Sequence, residues 1–190
     1  MTNQISKMSV AQSTPTHMSP EERLQTMMDT QSFHGAIRFN YLQSASGYLN
    51  IGVDINSLYA YPSRTFENSQ HSILRYRVTA LFYVAERGIL RAVEFLLDFG
   101  ADVRVRNVVS FFDAGGSRRE MEEMEGLSAL DGMRMSKSTG VRELVARRYG
   151  PESVEDRERR EEVLERMKEI GRRRTVGVET RSRIKRVGLS

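Results

Sequence analysis

A chain of 190 residues can bury one moderate core or a short repeat array, and its 39% apolar content with mean hydropathy −0.49 leaves part of it solvated. No run approaches the roughly 18 apolar residues of a membrane span, the start MTNQISKMSV lacks the apolar core of a secretory leader, and the absence of cysteine excludes disulfides and thiolate metal sites. An intracellular, cytoplasmic protein is expected, and with 29 basic against 25 acidic residues the placement of charge matters more than the net +4.

Residues 1–18 are rich in Ser, Thr, Gln and Met without apolar period and read as a disordered tail. Ser19-Pro20-Glu21-Glu22 then opens a helix over about 20–29: Ser19 suits the N-cap, Pro20 the first helical position, and Glu22 completes a capping box. Leu24, Met27 and Met28 give it a narrow apolar face that covers one end of the fold. The loop 58–77 carries Tyr59, Tyr61 and Phe66. It is either a finger that contacts a partner or a segment folded back over the preceding unit.

The next stretch, Val78–Asn107, organises the chain. Leu81, Val84 and Ala85, then Ile89, Ala92, Val93, Leu96 and Leu97, fall at helical spacing. Gly88 separates the runs and Gly100 closes the second, so a pair of helices with a tight turn is expected, capped by Thr79. A second insertion, 108–125, reads as a loop with a turn at Gly115-Gly116 and a short solvated helix from Arg118 to Glu125. Phe111 and Phe112 are either buried or free to anchor a partner. Beyond Pro151, residues 151–171 predict a charged helix with Val163, Leu164, Met167 and Ile170 on one face, ended by Gly171. This stripe either seals the fold or pairs with another helix. Residues 172–190 form a basic tail, with Arg172, Arg173, Arg174, Arg181, Arg183, Lys185 and Arg186 against Glu179 alone.

Thr79-Ala80-Leu81, Ala85, Gly88, Val93, Leu96-Leu97 and Gly100-Ala101-Asp102-Val103 resemble the T-P-L, A, G, V, L-L and G-A-D-V positions of the ankyrin repeat, Ala80 and Phe82 departing from it. One intact repeat spans 74–106. Gly126, Ser128-Ala129-Leu130-Asp131, Gly140, Leu144 and Val145 resemble a terminal-type repeat at 123–150, with an enlarged turn at Ser136–Thr139. Asn40–Ala45, Gly47-Tyr48-Leu49 and Gly52–Asn56 resemble a repeat around 40–57 that has lost most of its second helix. A rival register, which sets Leu42 on Leu90, keeps that helix but loses most side-chain matches, and the truncated register is preferred. The resemblance implies an all-α, short helix-turn-helix solenoid with long finger loops: residues 19–150 as the repeat domain of about three units, then the charged helix and the basic tail.

No residues assemble a catalytic or metal-ligating pattern. His17, His34 and His71 share no ligand spacing, and no nucleotide-binding or nucleophile-elbow motif appears, so neither an enzyme nor a cofactor is expected. The family instead implies a protein-binding module that uses finger loops and first helices. Matched by position, the contact surface is Arg75, Tyr76, Val78, Glu86 and Arg87, with Met124, Glu125 and Leu127 in the third unit. Two alternatives stay open. The basic tail resembles a two-cluster nuclear import signal or a phosphate-binding arm, implying a nuclear or nucleic-acid-associated regulator; or the chain is a decayed remnant of a longer array.

Overall fold

The computed structural model describes residues 19–60, 72–113 and 122–187. The N-terminal tail 1–18 lies outside them, as do Tyr61, Phe66, His71 and the Gly115-Gly116 turn. Three helix pairs follow one another: α1 (Pro20–Arg38) with α2 (Leu42–Asn50), α3 (Ala80–Arg87) with α4 (Leu90–Asp98), and α5 (Ala129–Arg134) with α6 (Thr139–Tyr149). A long helix, α7 (Val154–Val187), ends the described chain. The expectation of an all-α fold is overturned. Strands β1 (Tyr59–Ala60), β2 (Ser72–Val78), β3 (Arg106–Asp113) and β4 (Glu122–Ser128) form an antiparallel sheet in the order β1-β2-β3-β4, and the fold is mixed α and β.

The sheet arises where loops were expected. Leu74-Arg75-Tyr76-Arg77-Val78 alternates apolar and charged residues, the two-residue period of a strand with one buried face. Tyr76 lies opposite Val109, and Val109 opposite Met124, so one row crosses three strands. All three side chains are buried. Glu122–Ser128 belongs to β4, which replaces the short helix expected to run to Glu125. Pairing satisfies backbone donors and acceptors that a long buried loop would leave orphaned.

The first helix pair corrects a second expectation. The helix α2 is continuous through Gly47, and it matches α4 in length when Leu42 is set on Leu90. The rival register is therefore the one adopted, and no second helix is missing. Phe33, His34, Ala36 and Ile37 then coincide with Leu81, Phe82, Val84 and Ala85, and all eight are buried. Asn40, at φ 60°, takes the left-handed place of Gly88 at 71°. Asparagine tolerates that conformation better than most residues. Even the backbone bonds coincide: Tyr41 N–H donates to the Ala36 carbonyl, as Ile89 N–H does to Val84.

The helix starts follow local chemistry. The Ser19 hydroxyl accepts from Glu22 N–H at 3.1 Å while Ser19 N–H donates to the Glu22 carboxylate at 2.7 Å. Thr79 caps α3 through Phe82 N–H, and Ser128 caps α5 through Asp131 N–H. The segment Ser136–Thr139 is not an enlargement. Thr79 to Leu90 and Ser128 to Thr139 span the same distance in sequence, so the longer link replaces the last turn of a shorter first helix. Nor does α7 stop at Gly171: its backbone continues through Gly171 and Gly177 to Val187, each interior glycine costing a helix only about 1 kcal/mol.

One core joins these elements, from Phe33 in α1 through Leu96 in α4 to Ile170 in α7. Helices α3 and α5 approach closely at Gly132, where an added Cβ would stand 2.7 and 2.8 Å from the Phe82 ring. Gly132→Ala should destabilise the protein by about 1–3 kcal/mol, overpacking outweighing the better helix propensity of alanine. At Gly47 the same substitution meets nothing within 4 Å and should be neutral or stabilising by up to about 1 kcal/mol. Urea unfolding of the two variants checks the contrast, and equal effects would show that the approach at Gly132 is relaxed.

Candidate protein-binding surface

The first helices α3 and α5 and the strands β2 and β4 meet on one side of the molecule. The expected contact residues divide there into two groups. Tyr76, Val78, Met124 and Leu127 are buried and belong to the core. Tyr76 packs edge-on against Phe82, with ring centroids 5.7 Å apart, and its hydroxyl accepts from the Asn107 side-chain amide at 3.1 Å. Burial pushes that hydroxyl's pKa well above its ordinary value, so it remains protonated. Strand pairing turns these four side chains inward, so they are not exposed at the surface.

Glu86, Arg87 and Glu125 stay accessible. Glu86 and Arg87 are partly exposed at the end of α3, and Glu125 is exposed on β4. The Arg87 guanidinium lies over the Tyr83 ring, 5.2 Å from its centroid, and Glu125 pairs with Arg106 at 3.2 Å. Arg75 sits in β2 opposite Ser110. The backbone of Arg172, Arg173, Arg174, Arg181, Arg183, Lys185 and Arg186 lies within α7, so the basic segment is helical where a tail was expected.

The side bearing Tyr76 and Leu127 is not open. Helix α7 crosses it, burying Met167 and Ile170 and half-burying Val163 and Leu164. Between α7 and the array remains a cleft of about 240 Å³, lined by Tyr76, Phe82, Glu86 and Leu127 on one wall and by Leu164 and Met167 on the other. Beyond the Gly150-Pro151 break, ion pairs pin the start of α7. Arg134 reaches Glu152 at 3.8 Å and Asp156 at 3.3 Å, and Arg160 holds Glu152 at 2.6 Å. Bonding at Ser153, with Arg134 and Arg159 nearby, holds the Asp156 carboxyl below its ordinary pKa. Sequence reading did not place Phe82, Leu164 and Met167 together. The apolar stripe of α7 was the available signal, but nothing in its spacing says which face receives it.

Elsewhere, His34 is buried in α1, 2.9 Å from the Ser57 hydroxyl and stacked on Tyr59 at 4.8 Å. Desolvation lowers its pKa to about 4, which makes it a neutral core residue and a poor general base at neutral pH. Among the described residues there is no cluster of His, Asp and Glu able to hold a metal ion, and no helix is long and apolar enough to cross a membrane. Compared with models of protein families, with curated proteins and with solved structures, the chain matches none, so its own geometry is the ground for a functional reading.

Proposed function

We propose that this chain is a non-enzymatic, intracellular binding module of ankyrin-repeat type, whose helix pairs and hairpin strands present a surface to another protein. One observation carries the reading: the first two helix pairs share their buried positions, their left-handed turns and their closing loops. In both loops an Asp accepts from the backbone two residues on, Asp54 from Asn56 and Asp102 from Arg104, each near 2.8–2.9 Å. The Asn56 side chain also accepts from Asp102 N–H at 2.8 Å, tying one unit to the next. Such unit-to-unit bonding is what stacked repeats require. The remnant alternative was motivated by a truncated second helix, whereas α2 runs without a break over Leu42–Asn50.

The accessible positions Arg87 and Glu125 test the reading. A protein partner captured by the full chain should be lost, by tenfold or more in affinity, from the Arg87→Glu, Glu125→Lys double variant with its melting temperature unchanged. Undiminished capture would remove this surface from the proposal. A second reading rests on the charge segregation of α7, whose part from 172 to 187 carries seven cations against Glu179. It predicts nucleic-acid affinity that falls steeply between 50 and 200 mM salt, as counterion release requires.

A further inference from the structure

We infer that the depression where α5, α6 and the start of α7 meet is an anion site, and that its ligand is a phosphate monoester. It involves none of the positions offered above as a protein contact surface and stands apart from that reading. The depression measures about 420 Å³ and is lined by Arg134, Arg142 and Arg160, with Glu152 as its one carboxylate. Helix α5 ends at Arg134 and α6 at Tyr149. Gly150, at φ 75°, and Pro151 then turn the chain, and Glu152 returns beside Arg134.

Holding α7 in place does not account for these charges. Arg134 and Arg160 have Glu152 and Asp156 for that purpose, a balance of two cations and two anions. Arg157 adds a third cation, 3.6 Å from Glu152. Arg142 pairs with no carboxylate among the described residues. The Ser136 carbonyl and the Thr139 hydroxyl fix its guanidinium instead, leaving other N–H donors of the group uncommitted. Three guanidiniums against one carboxylate leave the lining with a surplus of two positive charges. The Arg134 and Arg160 side chains are only 10% and 16% exposed, so water screens their repulsion weakly, and a bound anion relieves it. A phosphate monoester carries close to two negative charges at neutral pH and accepts forked bonds from guanidinium groups. A carboxylate supplies only half that charge. Val145, Ala146 and Pro151 add an apolar wall against which the carbon bearing the phosphate can rest.

The test titrates the full chain with two probes, inorganic phosphate and N-acetyl-phosphoserine amide, by calorimetry at constant ionic strength. Both should bind saturably, and dimethyl phosphate, with its single charge, about tenfold more weakly. Arg142→Gln should weaken the phosphoserine probe by about tenfold, the loss expected for a hydrogen bond to a charged group. Arg142 is exposed and lies outside the ion cluster, so this variant should keep its melting temperature. Glu152→Gln removes the competing carboxylate and should tighten binding severalfold, a change of sign that a loss of fold would not give. Arg91→Gln, at an exposed position of α4, is the control and should leave the affinity unchanged. Tighter binding of the phosphoserine probe assigns the site to a phosphorylated side chain, and equal binding assigns it to free phosphate; both keep the site. Equal affinities of wild type, Arg142→Gln and Arg91→Gln would overturn the inference. So would dimethyl phosphate binding as tightly as the monoester, or titrations that do not saturate.

Discussion

Leu96→Ala should lower the unfolding free energy by roughly 2–5 kcal/mol, a large share of the 5–15 kcal/mol typical of a whole domain. Leu96 is fully buried in α4, and the same core includes Val93 and Leu97 beside it and Phe33 and Ile37 of α1. Removing its terminal carbons deletes apolar burial and leaves a cavity that packed helices on both sides cannot easily close. The effect is amplified because repeat-like units depend on their neighbours: weakening the middle pair also weakens both of its interfaces. Urea unfolding followed by circular dichroism measures it. Val154→Ala, at a position 69% exposed, is the control and should stay within about 0.5 kcal/mol. A Leu96→Ala protein with an unchanged midpoint would show that the core does not depend on this pair.

Acidification should destabilise the protein through His34. In the folded state its pKa is lowered to about 4 by burial, whereas the unfolded chain takes up the proton near the ordinary value of 6.5. The unfolded state therefore binds more protons between these values, and stability rises with pH across that window. The contribution is complete above about pH 6.5 and is lost as pH falls towards 4. Its full size is roughly 3 kcal/mol, about 2 of it gone by pH 5. The Ser57 hydroxyl and the Tyr59 and Phe33 rings are among the groups that face the imidazole, and burial is the cause of its lowered pKa. Unfolding of the wild type and His34→Gln at pH 7.5 and pH 5 isolates the effect, because the variant lacks this titration. Equal losses in the two proteins would place the acid sensitivity elsewhere.

Where local chemistry suffices, the sequence was legible. Ser19-Pro20-Glu21-Glu22 and Thr79 start helices because their side chains satisfy free N–H groups within three residues. Gly88 and Gly100 terminate helices because their positive φ values favour a residue without Cβ. The first helix pair was harder. Asn40 stands where Gly88 does, and His34 where Phe82 does, so a comparison of side chains favoured a register that the hydrogen bonds reject. The adopted register keeps the burial pattern, which packing enforces, and gives up residue identity, which it does not.

The sheet and the cleft beside α7 depended on contacts distant in sequence. The alternation around Tyr76 was visible, but a strand needs a partner, and β2 pairs with Val108–Asp113 across the intervening α3 and α4. That pairing turned Tyr76, Val78, Met124 and Leu127 from expected contacts into core, leaving Glu86, Arg87 and Glu125 at the surface. The apolar stripe of α7 was equally plain as a pattern and equally silent about its destination. By itself the sequence determined the helix starts at Ser19 and Thr79, the turns at Gly88 and Gly100 and the apolar stripes of α3 and α4, because those depend on interactions within a few residues. Only the tertiary structure decided which faces meet, because burial is settled between segments that the chain must first bring together.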